Sequence, residues 1–240
     1  MLIGGVQELT TLDFPGRLAA VVFTLGCNFR CGYCHNPQFI QCQGETLTSS
    51  IPEEVFFKFL EKRKGKLEGV CISGGEPTLQ PDILEFARKI KNMGFLVKLD
   101  TNGTMPGILE KMIAEKVVDF FAMDIKTSLF RYGEFLAVKP PFGGLTAKNL
   151  EEIKKSKEII QNSGLPYEFR TTAVKGKHTK EIFEEIGEWI KGAEAYFIQN
   201  FRNKKTLAEE YEKEEGFSEK ELAEFKLLMG KYVKNCGIRN

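Results

Sequence analysis

The sequence lacks the features that direct a chain to a membrane or out of the cell. No apolar run approaches the roughly 20 residues that a membrane-spanning helix needs. The opening MLIGGVQELT has neither the basic start nor the apolar centre of a secretory signal peptide. We therefore expect a cytoplasmic protein that has no membrane partner.

Net charge is also almost absent. The chain of 240 residues has 34 Lys and Arg against 33 Asp and Glu, which gives a formal charge of +1. No global field would therefore draw it to nucleic acid, and we expect no nucleic-acid partner. The sequence shows no low-complexity tract or clear linker, and its hydrophobic content of 42% is typical of a globular protein. We expect a single domain spanning residues 1–240.

Cysteines are few and unevenly placed. The chain has six, and in a reducing compartment these rarely pair as structural disulfides. Three of them lie within eight residues: Cys27, Cys31 and Cys34. This crowding indicates metal binding or redox chemistry. The others have no partner pattern, and an ordinary small thiol is the simpler interpretation of each: Cys42, Cys71 and Cys236.

Strand and helix patterns alternate along most of the chain. Short apolar runs predict buried strands at 18–24, 69–72, 95–99, 117–123, 167–174 and 195–199. The stretches between them predict helices at 52–64, 81–93, 106–115, 146–162 and 179–191. Six such units favour an α/β fold, a partial (β/α)6 TIM-like barrel with its core at about 16–202. Residues 206–235 predict two charged amphipathic helices, a C-terminal helical extension.

The unusual segments of the sequence fall where predicted strands end. The cysteines follow the first strand, and three more segments follow the next strands: Gly74-Gly75-Glu76-Pro77, Asp100-Thr101-Asn102-Gly103 and Asp124-Ile125-Lys126. The carboxyl ends of parallel strands gather on one face in such folds, and that face carries the chemistry. We therefore expect the four segments to converge on one mouth.

The cysteine spacing C-x3-C-x2-C offers three thiolates to one compact inorganic centre. Three thiolates leave a four-iron cluster one ligand short. An open coordination position is typical of a reactive centre, as in catalytic zinc sites. The alternative is zinc completed by His35, but His35 directly follows Cys34 and adjacent residues rarely reach one ion in the same tetrahedron. The spacing and the motif context together favour a [4Fe-4S] cluster over zinc.

These motifs resemble those of a known superfamily. C-x3-C-x2-C followed by Gly-Gly-Glu-Pro resembles the radical S-adenosylmethionine proteins, and the resemblance spans the whole chain. GCNFRCGYCHNP, SGGEPTLQ, DTNG and MDIK resemble the activating enzymes of glycyl radical enzymes. The opening LTTLDFPGRLAAVVFTLGCNFRCGYC is most similar to the anaerobic ribonucleotide reductase activating proteins.

The resemblance implies a cluster, a cosubstrate and a protein partner. One [4Fe-4S] cluster on Cys27, Cys31 and Cys34 would bind S-adenosylmethionine through its open iron. Reductive cleavage would give a 5′-deoxyadenosyl radical, which takes a hydrogen atom from a glycine of a glycyl radical enzyme, here an anaerobic ribonucleoside-triphosphate reductase. The resemblance also implies an electron donor such as flavodoxin or ferredoxin.

Further residues receive roles in cosubstrate binding from the same resemblance. Gly74 and Gly75 would let backbone approach the ligand, and Glu76 would face the methionine amine, although a tight turn also explains these residues. Five residues would hold ribose hydroxyls or a carboxylate: Asp100, Thr101, Asn102, Asp124 and Lys126. In pyruvate formate-lyase activating enzymes the corresponding aspartates also help hold a monovalent cation. A plain ion pair is the alternative.

Several other residues receive less specific expectations. Tyr33 would wall off the cluster and contact adenine through its backbone, or would simply pack. Gln199 and Phe201 resemble an adenine-side position, and His178 looks like a surface residue. The segment at 13–16 departs from the family's Asp-Gly-Pro-Gly because Phe14 replaces the first glycine, and an N-terminal turn explains it equally well.

Other functions fit parts of the same sequence. The partner could be a pyruvate formate-lyase-like enzyme, or the radical could act on a small molecule, as in a 7-carboxy-7-deazaguanine synthase-like pterin enzyme with an enclosed polar pocket. A nonenzymatic iron-sulfur electron carrier would need four protein ligands and no cosubstrate site. No cysteine-rich insertion lies between Cys42 and Cys71, which leaves the mouth open and favours a macromolecular substrate.

Overall fold

The computed structural model describes residues 1–40, 50–135 and 146–239. The strands are β1 (Ile3–Thr10), β2 (Ala19–Thr24), β3 (Gly69–Gly74), β4 (Leu96–Thr101), β5 (Phe120–Asp124), β6 (Tyr167–Ala173), β7 (Ala195–Asn200) and β8 (Asn235–Arg239). The helices are α1 (Glu53–Glu61), α2 (Ile83–Asn92), α3 (Pro106–Ala114), α4 (Tyr132–Phe135), α5 (Ala147–Gln161), α6 (Lys180–Trp189) and α7 (Glu219–Met229). Within the described ranges no helix is both long and apolar enough to span a membrane.

The strands form one eight-stranded sheet in the order β1 to β8. β1 runs antiparallel to β2, whereas β2, β3 and β4 are parallel, as are β6, β7 and β8. The expected α/β fold with a parallel sheet and interspersed helices is confirmed. The six predicted strands and five predicted helices are present, with ends that shift by a few residues.

The two outermost strands were not predicted. β1 has the sequence IGGVQELT and β8 the sequence NCGIR, and both contain mainly half-exposed or exposed residues. Such edge strands carry little hydrophobic periodicity, because backbone pairing with the neighbouring strand holds them in place. Here β1 pairs with β2 from Ile3 to Thr10, and β8 pairs with β7 from Asn235 to Arg239.

Residue contacts divide the chain into two compact units. The first unit comprises Met1–Asn28, Gln38–Thr101 and Met105–Phe121, and the second comprises Phe29–Pro37, Asn102–Thr104 and Ala122–Asn240. The first contains β1 to β4 and α1 to α3, the second contains α4 to α7 and β6 to β8, and β5 has residues in both. One domain over the whole chain therefore stays a prediction.

The core of the first unit lies between its sheet and its helices. In β2 the run from Ala19 to Val22 is buried at every position, as expected for a strand covered on both faces. α1 and α2 pack through the rings of Phe56 and Phe86, whose centroids are 5.5 Å apart. Glu53 and Glu54 occupy the first turn of α1, where negative charge complements the helix dipole.

Local capping signals define the helices of the second unit. Thr146 and Asn149 form a capping box at the start of α5, and Ser218 and Glu221 form another at the start of α7. α6 and α7 then pack through Phe183 and Phe225, whose ring centroids are 4.4 Å apart.

The C-terminal region corrects one prediction. In place of two amphipathic helices it contains a short 3-10 helix at Glu209–Lys213, then α7, then strand β8. In this 3-10 segment, which has the sequence EEYEK, Tyr211 is the buried residue. A longer amphipathic helix needs an apolar face to pack on the core, and this glutamate-rich stretch does not supply one. The residues after α7 pair with β7 instead of extending a helix.

Candidate active site

In the first unit, the ends of β2 and β3 are joined through backbone hydrogen bonds. Gly75 N donates to Thr24 O at 2.9 Å, and Glu76 N donates to Gly26 O at 2.7 Å. Gly26 N in turn donates to Phe39 O at 2.8 Å. The Gly-Gly-Glu-Pro turn thus fixes the backbone directly before Cys27.

Both glycines of this turn are required by close backbone packing. Gly74 has φ +112°, and a Cβ there would lie 2.3 Å from Thr24 N. A Cβ on Gly75 would lie 2.1 Å from Gly26 O. The space that the missing Cβ atoms leave is therefore used by the protein's own backbone. An approach of these glycines to a cosubstrate stays a prediction.

Glu76 is a buried carboxylate, 1% exposed, with a set of donors around it. Its Oε1 accepts from Thr78 N at 3.2 Å, from Thr101 Oγ1 at 2.8 Å and from the Thr78 hydroxyl. Buried carboxylates are tolerated when they are hydrogen-bonded in this way. Thr101, a predicted site residue, therefore orients the carboxylate of Glu76.

Asp100 lies beside a buried cation that the sequence analysis missed. Ser73 Oγ donates to its Oδ2 at 2.9 Å, and Lys98 forms an ion pair with its Oδ1. Lys98 has no exposed surface. The signal for this pair was present in FLVKLD, because residues two apart on a strand share a face.

The second unit contains the remaining part of the DTNG motif. Asn102 Oδ1 accepts from Thr104 N at 3.0 Å and from Thr104 Oγ1 at 2.7 Å. Gly103 has φ +81°, and a Cβ there would lie 2.3 Å from Met123 Cε. Asn102 therefore stabilises a tight turn after β4.

Cys31, Tyr33 and Cys34 lie in the second unit with Asp124 and Lys126. Burial raises the pKa of the Cys31 thiol to about 11, although the positive charge of Lys126 acts in the opposite direction. Burial also raises the pKa of Cys34, although the hydrogen bond from Asn36 N and the positive charge of Lys126 both act to lower it. Burial, together with the charge of Cys31, raises the pKa of Tyr33 well above its usual value. Deprotonated cysteines here need a positive centre beyond Lys126, which a bound iron cluster would supply.

Lys126 is held as a cation by its neighbours. Its Nζ lies 2.7 Å from Asp124 Oδ2, and Arg170 Nε lies 2.9 Å from Asp124 Oδ1. Burial alone would lower the pKa of Lys126, but Asp124 and Cys31 raise it above its ordinary value. The ion pair considered for Asp124 and Lys126 is therefore present, with Arg170 as an additional partner.

The cysteine loop is covered by the chain that follows β7. His35 Nε2 is hydrogen-bonded to Arg202 O at 2.9 Å, so this nitrogen carries the proton, and the His35 ring stacks on Phe201. Ala208 N donates to Gly32 O at 3.0 Å. A Cβ on Gly32 would lie 2.3 Å from the Tyr211 ring. His35 Nε2 is therefore engaged and does not act as a zinc ligand in this arrangement.

His178 corrects another expectation, because it is buried and not a surface residue. It is 2% exposed, and its Nδ1 accepts from Val174 N at 3.1 Å. The Nε2 consequently carries the proton and donates to Lys126 O at 3.0 Å. Burial lowers the pKa of His178 to about 4. The neutral imidazole thus supports the backbone that carries Lys126.

The comparisons with known proteins identify the family. The model of the Radical SAM superfamily matches residues 21–190, which is more than half of the chain. The chain belongs to the radical SAM superfamily. This family implies a [4Fe-4S] cluster and S-adenosylmethionine as its reactive components.

A relative places the chain within this superfamily. A protein of Methanocaldococcus jannaschii, named as an inferred glycyl-radical enzyme activating enzyme, is 37% identical over 99% of this chain and 95% of its own length. The pyruvate formate-lyase-activating enzyme of Clostridium pasteurianum is 36% identical over 52% of each chain. The prediction of a radical SAM enzyme of the glycyl-radical activating type is confirmed.

Solved structures share the fold. SuiB of Streptococcus suis bound to S-adenosylmethionine aligns with a TM-score of 0.65 and 16% identity, covering 92% of this chain and 50% of SuiB. The chain thus spans about half the length of SuiB. TYW1 with a lysine-pyruvate adduct aligns with a TM-score of 0.56 and 14% identity, covering 89% of this chain and 73% of TYW1. At these identities the likeness shows the fold alone, which is the partial-barrel α/β fold of radical SAM proteins.

The cysteine ligands of this radical SAM protein remain predicted from sequence. In the described part of the chain, no group of three or more His, Cys, Asp or Glu side chains is arranged to hold a metal ion. Cys27 belongs to the first unit, and Cys31 and Cys34 belong to the second. Cys71 is fully buried, and Cys42 lies outside the described residues.

The turn after β3 generates a prediction about stability. Gly75→Ala places a Cβ against Gly26 O, and we expect it to lower the free energy of unfolding by about 2–4 kcal/mol. Gly107→Ala is the matched control, because no atom lies within 4 Å of its Cβ position in α3. That control should be neutral or more stable by up to about 1 kcal/mol. Urea unfolding of both apoproteins measures this, and equal stability would contradict the packing argument.

The buried imidazole generates a prediction about pH. Because the folded-state pKa of His178 is lowered from 6.5 to about 4, its stabilising contribution is complete above pH 6.5 and is lost as the pH falls towards 4. The loss amounts to about 3 kcal/mol. His178→Gln keeps one donor and one acceptor but does not titrate in this range. Urea unfolding should show that the wild-type protein loses more stability than the variant between these pH values, and parallel curves would refute the assignment.

Proposed function

We propose that this protein uses S-adenosylmethionine to generate a glycyl radical on an anaerobic ribonucleoside-triphosphate reductase. Membership of the glycyl-radical activating enzymes rests on the full-length match at 37% identity. The choice of reductase rests on the opening segment up to Cys34, which resembles the reductase activating proteins. A pyruvate formate-lyase-like partner is the second candidate, supported by the match over about half of the chain.

The reaction balances with one electron and one hydrogen atom. When bound, a [4Fe-4S] cluster supplies the single electron that breaks the bond between sulfur and the 5′ carbon of S-adenosylmethionine. Methionine leaves, and the 5′ carbon takes a hydrogen atom from the Cα of the partner's glycine. The products are methionine, 5′-deoxyadenosine and a glycyl radical. The electron comes from an external one-electron carrier of the flavodoxin or ferredoxin class.

The residues present fit these groups in chemical character. Cys27, Cys31 and Cys34 would hold the cluster. Lys126 supports this assignment, because its positive charge opposes the pKa elevation of Cys31 and Cys34. Tyr33 keeps its phenol proton and packs against Tyr211, with ring centroids 5.9 Å apart, so it would help exclude water from the cluster.

The charged groups at the strand ends would orient the cosubstrate. Glu76, held by Thr78 and Thr101, would bind the methionine ammonium group through its buried carboxylate. Lys126 would bind the methionine carboxylate, since Lys126 and Arg170 share the single negative charge of Asp124 and the three groups together keep one positive charge. Asp100 and Asn102 would face the ribose. The backbone of Gly74 and Gly75 would approach the cosubstrate.

The first test is cleavage of the cosubstrate by the reconstituted protein. The protein is loaded anaerobically with iron and sulfide, reduced with S-adenosylmethionine present, and assayed by chromatography for methionine and 5′-deoxyadenosine. Electron paramagnetic resonance then tests for a glycyl radical on added partner enzymes. A radical on the reductase alone supports the proposal, whereas a radical only on a pyruvate formate-lyase-like enzyme favours the second candidate. An intact cluster with no cleavage product in any mixture refutes both.

Cysteine variants test the cluster ligands. Cys31→Ala should lose the iron and sulfide of the cluster and all cleavage activity, because two thiolates do not hold the cluster. Cys236→Ala is the control, since burial raises the pKa of that thiol to about 11 and keeps it protonated. It should keep nearly all of its iron, sulfide and activity. A Cys31→Ala variant that keeps its full iron and sulfide content and its activity would contradict the assignment of Cys31 as a cluster ligand.

A further inference from the structure

The lysine in the middle of β4 is placed as a counterion inside the first unit. Lys98 has no exposed surface, and its Nζ is paired with Asp100 Oδ1. The same Nζ lies 3.8 Å from Cys71 Sγ and 5.9 Å from the ring centroid of Phe120. A lysine is almost never buried to this degree unless an anion neutralises it.

Asp100 is correspondingly engaged through both carboxylate oxygens. Lys98 occupies Oδ1, and Ser73 Oγ donates to Oδ2 at 2.9 Å. The side chain of Asp100 is 13% exposed, so water does little to solvate its charge. The protein itself therefore supplies both the counter-charge and the hydrogen-bond donors that this carboxylate needs.

Asp124 has the same kind of environment within the second unit. Its Oδ2 lies 2.7 Å from Lys126 Nζ, and its Oδ1 lies 2.9 Å from Arg170 Nε. Both aspartates for which the sequence suggested a monovalent cation are thus paired with side-chain cations. Hard cations are held by oxygen ligands, and a carboxylate attracts them less when another cation already neutralises its charge. A metal ion beside Asp100 would also be repelled by Lys98 in a poorly solvated site. The residues present do not fit a monovalent metal ion.

We propose that the Lys98 ammonium group takes the place of a metal cation beside Asp100, so that this protein binds S-adenosylmethionine without potassium or sodium. An ammonium group is a compact point charge with three donors, and it can neutralise a carboxylate as an alkali cation does. The dependence on S-adenosylmethionine rests on the function proposed above. The counterion role itself rests on the contacts of Asp100 with Lys98 and Ser73 and is measurable without cosubstrate.

The proposal predicts that removing the ammonium group creates a need for a metal ion. Lys98→Met keeps the length and apolar stem of the side chain but leaves Asp100 without its counterion. The variant should therefore be less stable than the wild-type protein. Potassium should bind beside Asp100 in this variant and raise its melting temperature by mass action.

The first experiment uses the apoprotein. Thermal unfolding is compared in potassium chloride and in tetramethylammonium chloride at equal ionic strength, and thallium NMR reports direct binding with Tl⁺ as the potassium probe. Wild-type protein should melt at the same temperature in both salts and bind no Tl⁺, whereas Lys98→Met should gain stability from potassium. Lys91→Met is the matched control, because it removes a partly exposed ion pair with Asp119 and should not respond to the choice of cation.

The second experiment uses the reconstituted protein and measures S-adenosylmethionine affinity in the same two salts. Wild-type affinity should change by less than about twofold, whereas Lys98→Met should bind at least about tenfold more weakly in tetramethylammonium and recover in potassium. Wild-type protein that binds Tl⁺, or that needs potassium for cosubstrate binding, overturns the proposal even if the variant does not fold. Wild-type protein that binds no cosubstrate in either salt refutes the proposed function, while the apoprotein measurements still decide the role of Lys98.

Discussion

The pairing of buried charges at the ends of strands is the constraint on which both units depend. A charged group that leaves water without a partner costs several kcal/mol, so each such group here has one nearby. In the first unit Glu76 is held by threonine donors, and Lys98 neutralises Asp100. In the second unit Lys126 and Arg170 share Asp124. These hydrogen bonds and ion pairs fix the positions of charged groups, which apolar packing alone would not do.

Close backbone contacts support the loops that carry the proposed ligands. The glycines of the turn after β3 let it pack on the end of β2, directly before Cys27. The segment after β7 covers the loop of Cys31 and Cys34, where Ala208 N binds Gly32 O. A cluster bound on these cysteines would thus rest on backbone that is held at several points, which favours a defined electron-transfer geometry.

Much of the fold was predictable because its signals are local. The apolar run from Ala19 to Val22 marks a strand buried on both faces, and Thr146 and Ser218 act as helix caps within four residues of sequence. The edge strands β1 and β8 were not predictable in this way, since backbone pairing with a distant segment holds them. The first of the two predicted C-terminal helices was wrong for a related reason, because Tyr211 of the 3-10 segment packs against the Tyr33 ring.

The motifs of the sequence indicated the family, and the sequence by itself determined the order of the six inner strands, the helices between them and the residue types available to a cluster and its cosubstrate. The order of these elements follows from hydrophobic periodicity and the candidate ligands from residue spacing, both of which operate over a few residues. Only the tertiary structure decided that Lys98 is fully buried, that Arg170 joins Asp124 and that a buried His178 donates to the backbone of Lys126. Each of these depends on segments far apart in sequence that pack together and exclude water, which only the three-dimensional arrangement sets.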